Sequence, residues 1–422
     1  MLLYQVYRFL TIVGYPFIYL YLLRRRSKGK EDSIRFNERL GIVTLERPKG
    51  FLIWIHAASV GESLSALPLI CAMCERFPDK QFLLTTGTVA SAQLLAPRLP
   101  HGVIHQYIPV DSLKAVQRFL DHWQPNLVLW LESEFWPNVI MESSRLCPVI
   151  LVNGRITQRA TDRWKKAHSL IREVICQFTL VLPQSVNDQE RLKHLGAQKV
   201  LFVGNLKYDA PPLPNKEVEF QQLKTQIANR RCWIAASTHE GEEEQIIIAH
   251  RELKEHYPDI LTILVPRHAS RGAAVRDLIK QSGLSVAMRS CSEPIYDSTD
   301  IYLADTLGEL GLFFRLVGIA FIGGSLIEKG GHNPLEPARL DCAIVFGESM
   351  YNFSEIAAEL IFKNAAIEVH NGKGLAQAVG QLFDEADYRW LLMENAKKAV
   401  LAHKGAIEKI LNLIESTIQT AI

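Results

Sequence analysis

Residues 51–63 read FLIWIHAASVGES, and the fold class follows from them. Phe51–His56 is β-rich and almost wholly apolar, the pattern of a parallel strand buried on both faces. The small residues Ala57-Ala58-Ser59-Val60-Gly61 then make a tight turn, and Glu62-Ser63 opens a long amphipathic segment. Strand, short turn and helix start form a crevice at the strand's carboxyl end, where open α/β sheets bind ligands. Glu62 is the only carboxylate in the stretch, so it is the candidate for meeting a substrate hydroxyl there.

The same alternation continues downstream. Strand-like runs at Phe82–Thr85, Val103–Ile108, Leu127–Leu131, Val149–Val152 and Phe178–Leu182 are separated by helical patterns such as Ser112–His122 and Asn187–Leu195. This spacing implies a parallel, doubly wound sheet. Several strands end in groups suited to a ligand: Thr85-Thr86-Gly87-Thr88, Glu132-Ser133-Glu134, and Asn153-Gly154-Arg155. Two carboxylates directly after a buried strand are unusual, because uncompensated charge beside a core is costly. Glu132 and Glu134 share a side if the strand continues and diverge if a helix begins. One reading has each merely capping or facing solvent; the other has Glu132 tuning a cation in the crevice.

Lys207 follows the strand-like Val203-Gly204 and precedes Pro211-Pro212-Leu213-Pro214, a domain boundary. At 422 residues the chain exceeds one hydrophobic core, so two domains are expected. We place them at 31–210 and 230–422, with a linker over 211–229 and a C-terminal amphipathic helix packing back toward the first domain. In the second domain Cys232–Ala236 is a new strand, and Ser237-Thr238-His239-Glu240-Gly241-Glu242 resembles a capping box opening an anion-binding helix. Ile260–Val265 leads to Pro266-Arg267-His268, and an arginine at a strand's carboxyl end suits phosphate or carboxylate. Asp305-Thr306-Leu307-Gly308-Glu309-Leu310 and Gly330-Gly331-His332-Asn333-Pro334-Leu335-Glu336 follow later strands, the latter reading as Asn N-cap, Pro N1 and Glu N3.

Other classes are excluded. A net charge of +2 gives no general argument for nucleic acid. Seven cysteines, an odd number lying mostly in apolar runs, suit buried thiols in a reducing compartment. Cys71 and Cys74 form one C-x-x-C in a helical segment, with no second pair to complete a zinc site. No G-x-x-x-x-G-K-[ST] and no well-placed G-x-G-x-x-G occurs, and no D-x-D, so neither a P-loop, a dinucleotide site nor a dedicated carboxylate site for a nucleotide-bound metal is supported.

Residues 1–30 form a membrane anchor with a basic flank. Phe9–Leu23 would rise only about 22 Å as a helix against a hydrocarbon layer of about 30 Å. Gln5, Arg8, Thr11, Tyr15 and Tyr19 recur every three or four positions, which favours a helix lying in the interface, a single tilted span being the alternative. Arg24-Arg25-Arg26-Ser27-Lys28-Gly29-Lys30 belongs beside anionic lipid on the cytoplasmic face. The segment is not a cleaved signal peptide, because its charge follows the apolar run.

Taken together, RFNERLG, HAASVGES, ESEFWPN, GNLKYD, AASTHEGEE, LVPRH, DTLGEL, FIGGSL and GGHNPLEP resemble, in order and spacing, the bacterial 3-deoxy-D-manno-octulosonic acid (Kdo) transferases. The resemblance implies a GT-B fold with two Rossmann-like domains facing across a cleft, CMP-Kdo as donor, a lipid A precursor (lipid IVA) as acceptor, and attachment to the bacterial inner membrane. It further implies Glu62 as general base and Glu132 and Lys207 as transition-state stabilisers. CMP contacts map to Pro266, Arg267, Leu307, Gly308, Glu309, Asn333, Pro334, Leu335 and Glu336, with no metal and no cofactor beyond the donor itself. Two readings compete: a GT-B transferase with another sugar nucleotide, and a sugar-nucleotide epimerase on the same scaffold, which would need no anchor.

Overall fold

The computed structural model describes residues 2–165 and 167–421. The chain forms two compact units, one comprising residues to Ala210 together with the segment from His403, the other Pro211–Ala402.

The first unit is built on six strands: β1 (Leu52–His56), β2 (Gln81–Thr86), β3 (Val103–Tyr107), β4 (Leu127–Leu131), β5 (Val149–Gly154) and β6 (Leu180–Pro183). Their order is β3-β2-β1-β4-β5-β6, and all five pairings are parallel. Every residue of β1 and β4 is buried, which explains why these strands read as continuous apolar runs. On one face Trp54 and Trp130 pack with Phe119 and Trp123. On the other, Ile53, Ile55 and Leu129 pack with Leu69 and Met73 of the helix Val60–Arg76. Connections run from β1 toward β2 on one side, while β4 lies on its other side. That reversal opens a crevice at the carboxyl ends of β1 and β4.

The C-terminal helix Ala406–Ala421 belongs to this first unit. Ile410, Leu411 and Ile414 join the β1 core, and the Asp209 carboxylate accepts N–H bonds from Gly405 at 2.7 Å and Ile407 at 2.6 Å. The last acid of GNLKYD is therefore the cap of a helix almost two hundred residues away in sequence.

The second unit holds β7 (Cys232–Thr238), β8 (Leu261–Pro266), β9 (Val286–Met288), β10 (Ile301–Leu303), β11 (Ile319–Ile322), β12 (Ala343–Gly347) and β13 (Ala366–Val369). Their order is β13-β12-β11-β7-β8-β10-β9, again wholly parallel. Here the reversal falls at β7, flanked by β8 and β11. The span 211–229, expected as a linker, contains the helix Glu217–Ile227, which is part of the second unit.

The N-terminal segment differs from the expected single helix. Helices Leu2–Val13 and Tyr15–Ser27 meet at a bend of 61°. Pro16 in the first turn of the second helix has no N–H to give and crowds the preceding turn, so a break beside Gly14 relieves it. Among the described residues no single helix is long and apolar enough to cross a membrane, although this bent pair passes by length and composition. The polar stripe is also redistributed. Tyr4, Tyr7 and Thr11 turn toward the protein, bonding to Glu142 at 3.2 Å, Asp111 at 2.7 Å and Asn138 at 3.0 Å.

Candidate active site

Ser59 is the N-cap of the helix Val60–Arg76, its hydroxyl accepting from Glu62 N at 3.3 Å. Glu62, three residues on, reaches back so that its Oε2 accepts from Ala58 N at 2.7 Å. This is close to capping-box geometry, and it holds the carboxylate in one place. Ala58 is fixed in turn by Gly87, whose N–H bonds its carbonyl at 3.0 Å. A Cβ at Gly87 would stand 2.9 Å from that oxygen, so the Thr-Thr-Gly-Thr turn needs its glycine for close approach. Glu62 is only 7% exposed. Burial first, then the charges of Glu132 and Glu134, push its carboxyl up to about 7, against the pull of the Ala58 N–H and Ser59. A buried carboxyl poised near neutrality is suited to taking a proton.

Glu132 and Glu134 diverge for a reason neither expectation contained. Glu132 leaves β4 in the left-handed region at φ 55°, a conformation costing a non-glycine residue roughly 1–2 kcal/mol. Its N–H still bonds Val152 O at 3.1 Å. Glu132 stays buried, and Lys207 Nζ lies 3.7 Å from its Oε1. Glu134 accepts the indole N–H of Trp136 at 2.9 Å, and its carbonyl accepts that of Trp130 at 2.5 Å. Glu134 thus neither caps the helix nor simply faces solvent: it braces two indole N–H groups.

Lys207 is held by side-chain amides. Asn205 Oδ1 accepts Lys207 N at 3.0 Å, and Asn153 Oδ1 accepts Leu206 N at 3.1 Å. Asn153 is itself left-handed, at φ 52°, and fully buried. It ties the end of β5 to the lysine turn. The sequence marked Asn153 as a ligand-facing residue, whereas the structure makes it a support for Lys207. The structure thus brings Glu62, Glu132 and Lys207 to the carboxyl edge of one sheet, on segments following β1, β4 and β6.

The expected nucleotide residues follow β8, β10 and β11 in the second unit. Pro266 ends β8 and is buried; Arg267 N bonds Thr238 O at 2.9 Å. Leu307 is 75% exposed and Gly308 takes φ 81°. Glu309, by contrast, is buried and gripped by Arg289 at 3.0 and 3.2 Å, by Lys216 at 3.1 Å and by the Thr306 hydroxyl. Against burial, which works the other way, these bonds hold its carboxyl down at about 2. Leu307 and Gly308 are therefore the open part of that segment. Asn333 Oδ1 accepts Leu335 N at 3.1 Å and its Nδ2 donates to Glu336 at 3.4 Å, but the cap position falls on Pro334, one residue later than the sequence pattern places it. The helix it opens is a single turn, Leu335–Ala338. Burial pushes the Glu336 carboxyl up, with Asn333, Arg339 and Arg267 acting against it; Arg267 thereby stands near the turn that follows β11.

The capping box predicted at Ser237-Thr238 is not formed. Ser237 is left-handed at φ 61°, and the acids carry other loads. The Glu242 carboxylate accepts N–H bonds from His239, Gly324, Ser325 and Leu326 at 2.6–3.0 Å, fixing the turn after β11 to the turn after β7. Glu243 binds Arg271 at 2.5 Å and Thr238 at 3.1 Å. With two buried carboxylates at its start, the helix Glu243–His256 is not an anion site.

Residues 34–210 match the family described as 3-deoxy-D-manno-octulosonic-acid transferase (kdotransferase). A relative named 3-deoxy-D-manno-octulosonic acid transferase from Rickettsia bellii is 34% identical over 97% of this chain and 98% of its own. One of the same name from Haemophilus influenzae is 32% identical over 97% of both. Among solved structures, a putative UDP-N-acetylglucosamine 2-epimerase from Listeria monocytogenes aligns over 87% of this chain and 96% of its own, with a TM-score of 0.62 at 14% identity. A glycosyltransferase from Rickettsia africae aligns over 88% and 99%, with a TM-score of 0.60 at 11% identity. At such identities these structures show the shared fold alone, the GT-B type common to glycosyltransferases and epimerases.

Proposed function

The chain belongs to the 3-deoxy-D-manno-octulosonic acid transferase family of glycosyltransferases, and from that premise we propose that it moves Kdo from CMP-Kdo to a lipid A precursor with Glu62 as general base. The observation that carries this reading is the Glu62 carboxyl itself: buried, oriented through one oxygen by Ala58 N, and raised to about 7. The acceptor hydroxyl gives its proton to Glu62 as its oxygen bonds to the anomeric carbon of Kdo. The bond from that carbon to the phosphate oxygen breaks on the opposite side, so configuration inverts and CMP departs with the electron pair. A positioned base contributes roughly 10²–10⁴-fold.

Lys207 beside Glu132 is the cation best placed to steady charge in this unit. The CMP moiety belongs with Pro266-Arg267, Leu307-Gly308-Glu309 and Asn333-Pro334-Leu335-Glu336, all after strands of the second sheet. CMP is a good leaving group, and arginine and oriented N–H groups can meet its charge. We read the transfer as metal-independent, the charge on the departing phosphate being met by arginine and oriented N–H groups. Chelator should leave turnover intact, and a loss restored by a divalent ion would overturn that part.

The N-terminal helices supply a membrane surface. With Tyr4, Tyr7 and Thr11 turned inward, the outward face carries Leu2, Phe9, Leu10, Phe17 and Leu20, each at least 60% exposed. An apolar patch of this kind marks an interaction surface, and Arg24 and Arg26 at its end suit anionic lipid. The reading is attachment at the cytoplasmic face of the inner membrane, where a lipid acceptor resides.

The test is Glu62→Gln assayed with CMP-Kdo and lipid IVA in detergent. Turnover should fall by at least 100-fold (about 2.7 kcal/mol). Near-normal transfer would remove Glu62 from the role of base.

A further inference from the structure

His239, on the turn after β7, and His332, on the turn after β11, meet through their ring nitrogens. Nε2 of each lies 2.9 Å from Nε2 of the other, with ring centroids 5.2 Å apart and ring planes within 5° of parallel, so the two imidazoles meet end to end. Gly324 makes room for them: a Cβ there would stand 3.3 Å from the His332 ring and 3.5 Å from that of His239. His268 meets His239 edge-on at 6.0 Å. Arg267, Arg271 and Lys329 also bear on His239, while Arg267 and His268 bear on His332. Burial and these cations hold both imidazoles well below their ordinary range, so the pair is neutral near pH 7.

A hydrogen bond between two neutral imidazoles through Nε2 fixes both tautomers. The ring that donates at Nε2 has a bare Nδ1, and the ring that accepts carries its proton on Nδ1. The surroundings decide which is which. More cations surround His239, and a bare nitrogen is the better neighbour for them. We infer on this ground that His239 donates and that His332 presents Nδ1–H. Neither Nδ1 has a hydrogen-bond partner among the described residues. His332 directly precedes Asn333 and stands near Arg267, at the reversal of the second sheet.

Resting on the functional reading above, we propose that His332 is a donor-site residue whose Nδ1–H bonds the phosphate oxygen that departs with CMP, and that His239 is the positioning residue that fixes its tautomer. The histidine keeps its proton; the hydrogen bond strengthens as charge gathers on that oxygen when its bond to the anomeric carbon breaks. Such a donor acts on the transition state more than on the bound substrate. The ring is apt because it is uncharged: it tightens its bond as charge develops without holding CMP as a full cation would.

The experiment measures kcat and KM for CMP-Kdo, and CMP affinity by calorimetry, for wild type, His332→Ala, His332→Asn, His239→Ala and His239→Gln. His332→Ala should lose roughly 100-fold in kcat with a smaller change in KM. His332→Asn, whose amide N–H stands near the place of Nδ1–H, should recover part of the loss. His239→Ala should lose kcat with little change in KM, and His239→Gln, which can still donate to His332 Nε2, should recover much of it. Wild-type kcat and CMP affinity in His332→Ala would overturn the proposal, as would an Asn variant no better than Ala in a protein of unchanged thermal midpoint. If wild type itself failed to transfer from CMP-Kdo, the functional reading would fall first, and CMP affinity across the variants would still judge the histidine.

Discussion

Lys207 Nζ stands 3.7 Å from Glu132 Oε1, with both side chains almost fully withdrawn from solvent. That is ion-pair distance, and in a buried setting the attraction between the two charges is stronger than it would be in water. Removing one partner of a buried pair leaves the other charge uncompensated, at a cost of about 3–5 kcal/mol. We expect Lys207→Met to cut kcat by roughly 100-fold and to lower stability as well. Kinetics and urea denaturation on the same preparation check both, and a variant with unchanged kcat would remove Lys207 from the site.

Glu132 also acts on Glu62. Its negative charge is the second contribution, after burial, to the raised Glu62 carboxyl. A like charge disfavours ionisation, so Glu132→Gln should lower the Glu62 pKa. The acidic limb of kcat/KM, set near pH 7 in the wild type if Glu62 must be ionised, should move to lower pH by up to about one unit. A limb that stays in place would mean that another group titrates there.

Glu62 bears on stability in the opposite sense from activity. Its folded pKa lies above the ordinary carboxylate value, so between about 4.5 and 7 the folded protein holds a proton that the unfolded chain has released. Stability from this group is present at low pH and is lost as pH rises toward 7. Glu62→Gln should therefore be more stable than wild type at pH 8, by about 1–3 kcal/mol, with the difference shrinking at pH 5. Denaturation at the two pH values measures it, and an advantage that fails to shrink would contradict the titration.

Asp209 holds the C-terminal helix to the first unit through two short bonds, from Gly405 and Ile407. Asp209→Ala should cost about 1–2 kcal/mol and speed amide exchange in Ala406–Ala421 ahead of the β1 core. Uniform exchange across both regions would mean that the cap matters less than the packing of Ile410 and Ile414.

Membrane association should divide into an apolar part and a charged part. Arg24→Ser with Arg26→Ser should weaken partition onto anionic vesicles by roughly 10- to 30-fold, at about 1 kcal/mol per residue, and leave neutral vesicles unaffected. Phe17→Ser with Leu20→Ser should weaken both. Sedimentation with lipid vesicles reads the two, and equal binding by all variants would remove the N-terminal helices from the membrane contact.

What the sequence determined by itself was set by local physics. Nearly continuous apolar runs mark β1 and β4, because a strand covered on both faces favours apolar residues at almost every position. The small-residue turn ahead of Glu62, and Asn333-Pro334 ahead of Glu336, mark helix starts to within about two residues, because turn and capping signals act over only a few positions. Two parallel sheets, and the strand ends where ligands belong, were legible on those grounds.

Tertiary structure alone decided the rest, because the groups concerned find partners far away in sequence. Glu242 satisfies the turn after β11 instead of its own helix, which no local pattern encodes. Asp209 caps a helix that begins at Ala406. Pro16 could be read as a break, but not the inward turn of Tyr7, which depends on Asp111. The left-handed turn at Glu132 separates it from Glu134, and the sequence offered only a strand or a helix there. Glu62 shows the division within one residue. Its position was fixed by the turn that carries it, but its readiness to take a proton comes from burial and from Glu132, seventy residues on, which the sheet brings near.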